Sequence, residues 1–210
     1  MRRRPDACLP GVATLGSAPV EARTRDDYFE AGLRLMGDGG TGAVTIARLC
    51  EALEVTKGSF YHHFKNIDDY RLQLLKHWAV VREGQIADAL ARADGPLQRT
   101  VALREHSLGL PHEAEVAIRS WSRRDGTVEA IQQRVDAERE RAIAEAYAAT
   151  GVPADVAWLL GRVAVSVLIG AQHRSRPADR QGLEAMYRLL HDLVVARYLP
   201  DEASVRPSGS

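Results

Sequence analysis

The stretch VTIARLCEALEVTKGSFYHHF, Val44 to Phe64, decides the fold. It contains a segment with apolar side chains at helical spacing, a short break, and a second short segment rich in polar and aromatic residues. Thr45 and Thr56 stand where the N-caps of two helices are expected. Two short helices joined by a tight turn are typical of a helix-turn-helix unit.

The residue types of the second helix suit contact with the major groove of DNA. Lys57 can donate to guanine acceptors, Gly58 removes side-chain bulk where the helix approaches DNA, and Tyr61 adds a phenolic donor. Phe60 and Phe64, four residues apart, are expected to face the core. The segment has no acidic residue between positions 55 and 66. The predicted DNA-contacting residues are Thr45, Thr56, Lys57, Gly58, Ser59, Tyr61, His62, His63, Lys65 and Asn66.

The composition of the whole chain is that of an ordinary globular protein. It has 210 residues, 45% of them hydrophobic and 27% charged, with a formal net charge of zero. Global charge therefore gives no argument for nucleic-acid binding, and any basic surface must be local. The three lysines, Lys57, Lys65 and Lys76, all lie in or just after the quoted stretch.

Cysteine content and hydropathy point to a reduced, cytoplasmic protein. Cys8 and Cys50 are too few for a disulfide framework or a cysteine-based metal cage. Residues 1–22 carry arginines, but prolines and glycines interrupt their apolar run, so we expect a disordered basic arm rather than a signal peptide. The apolar segment 156–170 is shorter than the ~20 residues of a membrane span and is expected to form a buried helix.

Helical spacing recurs along the rest of the chain, whereas strand and hairpin patterns do not. Thr24 is expected to cap a first helix and Asn66 a long fourth helix that ends near Arg92. The pattern predicts an all-α fold of about nine helices, in which a three-helix N-terminal unit is joined through the long helix to a larger bundle. Its later helices are expected over 97–108, 113–124, 127–149, 154–174 and 179–199.

The residues quoted above resemble the TetR family of transcriptional regulators. The matching positions are Thr45, Leu49, Val55, Thr56, Gly58, Ser59, Phe60, Tyr61, His63 and Phe64. The resemblance is specific over about residues 24–78. Two positions depart from the family pattern: Glu54 replaces the glycine of the turn, and Ile67 replaces the lysine usual at the start of the fourth helix.

This resemblance implies a domain plan and a set of partners. It implies a DNA-binding domain over 23–67, a ligand-binding and dimerisation domain over 68–200, and a disordered tail over 201–210. Operator DNA, an unknown small-molecule effector and a second copy of the chain are the implied partners, with no membrane and no cofactor.

Aromatic and polar side chains in the middle helices form a candidate effector pocket. The candidates are Trp78, Arg82, His106, Trp121, Tyr147, Trp158 and Arg162. Such a mixture is what a small-molecule site needs, and it is equally what the core of a helical bundle contains. Arg162 stands out because it lies in an otherwise apolar helix. We expect it to be paired, exposed, or placed to meet an anionic ligand stacked on Trp158.

The last two helices carry more apolar surface than one buried stripe requires. Small and apolar residues recur there at spacings of three or four, which is compatible with burial within one chain or with a two-fold four-helix interface. Because the resemblance implies a dimer, the interface is the favoured interpretation. Its predicted residues are Ala157, Gly161, Ala164, Leu168, Leu190 and Val194.

These observations favour a dimeric, ligand-responsive DNA-binding regulator that acts as a repressor. An all-helical enzyme is an alternative, but the sequence shows no convergent acid, base or metal-binding set, and adjacent His62 and His63 diverge too far on a helix to share a metal. A helical interaction module that uses the helix-turn-helix only as core is the other alternative. Sequence-specific DNA binding would distinguish the regulator from both.

Overall fold

The computed structural model describes residues 23–199, and every regular element within them is helical. The predicted arm over 1–22 and the tail over 201–210 lie outside the described residues. The elements are α1 (Arg25–Gly39), a 3-10 turn (Thr41–Ala43), α2 (Ile46–Leu53), α3 (Lys57–His63), α4 (Ile67–Ala91), α5 (Pro96–Leu108), α6 (His112–Ser122), α7 (Gly126–Ala148), α8 (Ala154–Arg174) and α9 (Arg180–Tyr198). The prediction of an all-α fold is confirmed.

Short polar side chains start the first four helices, as predicted. Thr24 and Asp27 form a reciprocal capping box at the start of α1. Thr45 accepts a hydrogen bond from the backbone N–H of residue 48, and Thr56 accepts one from that of residue 59. Asn66 caps α4 in the same way. Each cap satisfies a backbone donor that the helix itself leaves free.

The turn between α2 and α3 uses a left-handed residue that is not glycine. Glu54 has φ 56° and ψ 43°, the conformation that the family's glycine adopts without steric cost. The backbone N–H of Val55 closes the turn by donating to the carbonyl oxygen of Cys50 at 2.9 Å. The helix-turn-helix geometry is therefore kept, at the cost of strain at one residue.

An aromatic cluster holds α1, α3 and the start of α4 together. Phe60 and Tyr70 are completely buried, with ring centroids 5.8 Å apart. The Tyr70 hydroxyl donates a 2.6 Å hydrogen bond to the carbonyl oxygen of Tyr28. This close passage requires glycine at position 32, because a Cβ there would collide with the Tyr70 hydroxyl.

The same hydrophobic cluster continues into the larger bundle. Ile118 of α6 and Val135 of α7 are buried in it together with Tyr28, Phe60 and Trp78. The N-terminal unit and the bundle thus share one core, across the predicted boundary at residue 67.

The larger bundle is built around the contact between α7 and α8. Gly161 allows the two helices to approach closely, since a Cβ there would collide with the backbone of Glu140. By length and composition alone, α8 is apolar enough to cross a membrane. Its packing on α7 and the exposed Arg162 on its other side give that composition a place within a helical bundle.

Candidate nucleic-acid interface and interior cavity

Phe60 of α3 and Phe64, just after the helix, are buried in the core, so the polar face of α3 is exposed. Phe60 is fully buried, and its ring centroid lies 5.3 Å from that of Phe64. The Ser59 hydroxyl accepts a 3.0 Å hydrogen bond from Tyr28. These contacts set the rotation of α3, so that Lys57 and Tyr61 face outward, Tyr61 with 56% of its surface exposed.

The ten predicted DNA-contacting residues fall into two groups. One group is exposed: Lys57, Gly58, Tyr61, His62 and Lys65. The side chains of its four non-glycine members make no hydrogen bond within residues 23–199. The others also serve the fold: Thr45, Thr56 and Asn66 cap helices, while Ser59 and His63 pack against Tyr28. The first group is therefore the part of the surface that is free to meet a ligand.

A further cation at this surface escapes the sequence pattern. The Arg25 guanidinium, at the start of α1, lies 5.1 Å from the ring centroid of Phe64, just beyond the end of α3. It stands near the exposed Lys65 through their shared neighbour Asp69, whose pKa is lowered by the Lys65 backbone N–H and the charges of both cations. Arg25 of α1 thus lies next to the residues that were predicted to contact DNA.

A known protein family matches the segment that forms the helix-turn-helix. Residues 29–70 match the model of the bacterial regulatory proteins of the tetR family. This chain carries a TetR-family DNA-binding domain. The TetR-family domain accounts for the capped helix-turn-helix, its buried aromatic side chains and its exposed polar face, and the resemblance noted in the sequence is confirmed.

Relatives and solved structures extend the comparison. Over 59 residues the chain is 34% identical to the transcriptional regulator AcuR of Cereibacter sphaeroides. This aligned segment covers 28% of this chain and 27% of AcuR. The fold resembles that of SCO4454, a TetR-family regulator of Streptomyces coelicolor, with 18% identity, a TM-score of 0.68, and coverage of 86% and 91% of the two chains. The structure of a transcriptional regulator from Saccharomonospora viridis in complex with choline is similar as well. It has 16% identity and a TM-score of 0.66, and the match covers 83% of this chain and 96% of that chain.

These matches are to transcriptional regulators and not to enzymes, in agreement with the expectation from the sequence. The match to AcuR spans about a quarter of that protein's length, and the solved structures share the fold at low identity. Within residues 23–199, no three His, Cys, Asp or Glu side chains come together as a candidate metal site.

The larger bundle contains a cavity between α5, α7, α8 and α9. It has a volume of about 30 Å³ and is lined by Thr100, Leu103, Arg104, Ser107, Ile143, Tyr147, Ala164, Tyr187, Leu190 and His191. A second cavity of about 10 Å³ shares Leu103, Ser107, Ile143 and Tyr187 with the first and extends to His106 and Arg139. Two of the predicted pocket residues, His106 and Tyr147, therefore line this interior space.

Wider clefts lie at the surface of the molecule. One of about 800 Å³ runs between α1 and the segment at Arg176, and one of about 510 Å³ lies beside Arg71 and Trp121. Although these clefts are larger, the interior cavity is lined by more buried side chains and lies among the bundle's buried charges. We therefore take the interior cavity as the candidate effector site.

A buried ion pair adjoins the inner end of the cavity. Glu115 of α6 is fully buried and accepts a 2.6 Å hydrogen bond from Nη2 of Arg139 of α7. Burial alone would raise the pKa of Glu115, but the charge and hydrogen bond of Arg139 bring it below its usual value. Nearby, Arg119 and Asp136 form a bidentate pair at 2.7 and 2.9 Å.

Arg82 of α4 stands beside these pairs without a partner of its own. Only 7% of its surface is exposed, and it forms no hydrogen bond or ion pair with any residue in 23–199. Burial lowers its pKa; the Glu115 charge opposes that effect and Arg139 adds to it. Burial, together with the charges of Arg139 and Arg82, also lowers the pKa of His106 to about 4, so this ring is neutral at pH 7.

The sequence analysis missed Glu115 and Arg139. A signal was present, because Arg139 falls on the apolar stripe of α7 with Val135 and Ala142, at a spacing of three or four residues. This is the pattern that drew attention to Arg162. Nothing in the sequence indicated that Glu115, 24 positions earlier, would meet Arg139.

The remaining predicted pocket residues lie elsewhere. Trp78 is fully buried in the aromatic cluster, and Trp121 lines the surface cleft beside Arg71. Trp158 is 53% exposed on the outer face of α8, and the Arg162 guanidinium lies 4.9 Å from its ring centroid. Trp158 and Arg162 therefore share a face, but that face lies on the outside of the bundle and away from the interior cavity, where a ligand was expected to meet them.

The small-residue stripe of α8 faces inward, which corrects its expected role. Ala157, Gly161, Ala164 and Leu168 are buried within the chain, with Gly161 against α7. On α9, Val194 is buried and Leu190 is half-buried in the same interior. The large apolar side chains that remain exposed on these two helices are Trp158, Leu159, Val163, Leu189 and Leu193.

Proposed function

We propose that this protein is a homodimeric, cytoplasmic transcriptional repressor that binds operator DNA through α3 and leaves it when a small molecule enters the bundle. The observation that carries the proposal is the rotation of α3. Buried Phe60 and the Tyr28–Ser59 hydrogen bond direct Lys57 and Tyr61 outward at the helix N-terminus, the end that reads bases in helix-turn-helix proteins.

The outer face of α8 and α9 supports the dimer. Leu159, Val163, Leu189 and Leu193 are each at least 45% exposed, and apolar patches of this kind mark protein interfaces. A two-fold pair of these helices would present two copies of α3 to successive half-sites, roughly 34–36 Å apart on DNA. The dimer therefore uses the face of α8 opposite to the small-residue stripe.

Helix α4 supports the coupling of effector to DNA. Its first turns pack on α3, with the Tyr70 ring centroid 5.8 Å from that of Phe60. Three turns later it carries Arg82, next to the buried charges of the bundle. A ligand that favours one position of Arg82 would bias the rotation of α3 through a single continuous helix, which is how two distant sites share a coupling free energy.

The test is selection of bound sequences from random duplex DNA, followed by a metabolite panel screened for release of the selected operator. We expect one enriched, two-fold symmetric sequence, and its loss when an effector binds. A reporter gene placed behind that operator should be silenced by the protein. Failure to enrich any sequence would favour the helical interaction module or enzyme, and activation of the reporter would exclude the repressor.

A further inference from the structure

We infer that Arg176 is a positioning residue for DNA recognition: it ties the loop between α8 and α9 to the end of α1, and so sets the half-site spacing that a dimer of this chain accepts. The inference rests on the proposed function, in which α3 binds operator DNA and the outer face of α8 and α9 forms the dimer. It names a residue that determines the specificity of that function, through α1 and not through a contact of its own with DNA.

A hydrogen bond between residues 139 positions apart is the first step. Nη2 of Arg176 donates to the carbonyl oxygen of Gly37, in the last turn of α1, at 2.7 Å. The last four carbonyl groups of a helix have no partner within it. In α1 the backbone N–H of Gly40 donates to the carbonyl oxygen of Met36, and Arg176 donates to the next one along the chain.

Helix α1 has no cation of its own at this end. Its last turn contains no basic residue and includes Asp38. The negative end of the helix dipole favours a positive group, and the guanidinium of Arg176 is placed there from the bundle. A distant residue thus supplies what the sequence of α1 lacks.

The loop that carries Arg176, residues 175–179, is itself held in place. The Ser175 hydroxyl accepts a 3.1 Å hydrogen bond from the backbone N–H of Asp179, whose carboxylate caps α9. The backbone N–H of Ala178 donates to the carboxylate of Glu113, in the first turn of α6, at 3.2 Å. The loop is therefore fixed to α6 and α9, and through Arg176 to α1.

Packing does not duplicate the bond between the loop and α1. The cleft of about 800 Å³ separates them, with Leu33 and Arg34 on one side and Pro177 on the other. Arg176 is exposed, and no other hydrogen bond within residues 23–199 joins this loop to α1. Because an exposed bond of a charged side chain adds little to stability, we expect its effect on the position of α1 and not on the free energy of unfolding.

The position of α1 decides where α3 lies. The Tyr28 hydroxyl of α1 donates to the Ser59 hydroxyl of α3 at 3.0 Å, and the carbonyl oxygen of Tyr28 accepts from Tyr70 of α4. In a dimer formed by α8 and α9, the loop between them keeps a fixed place relative to the two-fold axis. A bond from this loop to α1 therefore fixes the distance between the two copies of α3.

The experiment measures the preference of the full chain for operator spacing. The selected operator is compared with versions that have one base pair inserted or removed at the centre, which moves a half-site by about 3.4 Å and turns it by roughly 35°. Fluorescence anisotropy at fixed salt gives Kd for each DNA. We expect the preference for the selected spacing to fall about two- to tenfold in Arg176→Met, because the dimer loses two exposed bonds.

Two further variants separate position from charge. Arg176→Lys keeps the charge and a donor and should retain most of the spacing preference. Arg174→Met removes an exposed arginine whose side chain forms no hydrogen bond or ion pair within residues 23–199, and it should behave as wild type does. A merely structural role of Arg176 would weaken binding to all operators by one factor. An unchanged ratio in Arg176→Met, or an equal change in Arg174→Met, would overturn the inference.

Amide hydrogen exchange of the free protein tests the bond without DNA. We expect the last turn of α1 to exchange faster in Arg176→Met than in wild type, by about twofold or more. Equal exchange would overturn the inference, because the bond would then not hold α1 in solution. If wild type enriches no operator, the proposed function falls and this inference falls with it. If wild type binds its operator and Arg176→Met keeps the spacing preference, this inference alone falls.

Discussion

The two ends of α4 enter interiors of opposite character. At its start, Tyr70 joins Phe60 and Phe64 in an aromatic core with ring centroids 4.9 to 5.8 Å apart. At its later turns, Arg82 meets Glu115 and Arg139 in an interior that holds charges. The first interior is closed by contacts between rings, whereas the second holds one cation, Arg82, that forms no hydrogen bond or ion pair within residues 23–199.

The largest expected effect breaks the charged interior. Arg139→Met leaves the carboxylate of Glu115 buried without its partner, which should lower the free energy of unfolding by about 3–5 kcal/mol. Denaturant unfolding monitored by circular dichroism measures this change.

The matched double variant sharpens that result. Adding Glu115→Leu to Arg139→Met removes both charges and should recover most of the loss, since apolar replacement of a whole buried pair is often neutral. The exposed Arg141→Met is the control and should leave stability unchanged. A double variant no more stable than Arg139→Met alone would contradict the ion-pair account.

The next effect is the contribution of His106, in the charged interior, to the pH dependence of stability. The pKa of His106 is about 4 in the folded protein and 6.5 in its ordinary state, so the unfolded chain binds the proton more readily between these values. Stability is therefore fully present above pH 6.5 and falls as the pH drops toward 4, by on the order of 3 kcal/mol.

The comparison with His106→Gln isolates this residue. The charged groups around it are Arg82 on α4, Arg139 on α7 and Glu115 on α6. The pKa of His112 is lowered as well, so wild type and variant should both lose stability in acid, the variant less. Parallel curves of unfolding free energy against pH would show that His106 does not titrate as described.

A smaller effect concerns the exposed face of α3. Lys57→Ala and Tyr61→Ala should each weaken operator binding by ~1–3 kcal/mol, as expected for loss of a base contact, with no change in stability. Lys76→Ala, an exposed lysine on α4, is the matched control. Wild-type affinity in both folded variants, measured by anisotropy at fixed salt, would remove α3 from the interface.

The smallest effect lies in the turn between α2 and α3. Glu54 adopts φ 56°, so Glu54→Gly should relieve left-handed strain and stabilise the protein by at most about 1 kcal/mol, because glycine also makes the unfolded chain more flexible. Glu51→Gly, in the interior of α2, is the control and should destabilise it. Equal losses in the two variants would mean that the turn carries no strain.

How much could be predicted differs between the two interiors. The N-terminal unit follows from local signals: Thr24, Thr45, Thr56 and Asn66 cap the helices that the sequence predicted. Each cap acts within a few residues of its own position, so a single sequence reveals it. The family pattern added the fold of the whole.

The charged interior depends on contacts between distant positions. Glu115 meets Arg139, and Gly161 meets the backbone of Glu140, through the placement of α6, α7 and α8. The periodicity of α8 showed one small and one large apolar face, but not which of them α7 would cover. The small face was taken for the partner's side, and the structure uses it within the chain.

The single hydrophobic cluster that joins α1, α3 and α4 to α6 and α7 limits how this chain can be recombined with other proteins of the same fold. Ile118 and Val135 belong to the same core as Tyr28 and Phe60. A hybrid cut near residue 67, made to give another bundle this protein's DNA preference, would divide that core and expose apolar surface on both pieces. A successful exchange must also transplant the inward-facing residues of α6 and α7, or confine itself to the exposed residues of α3.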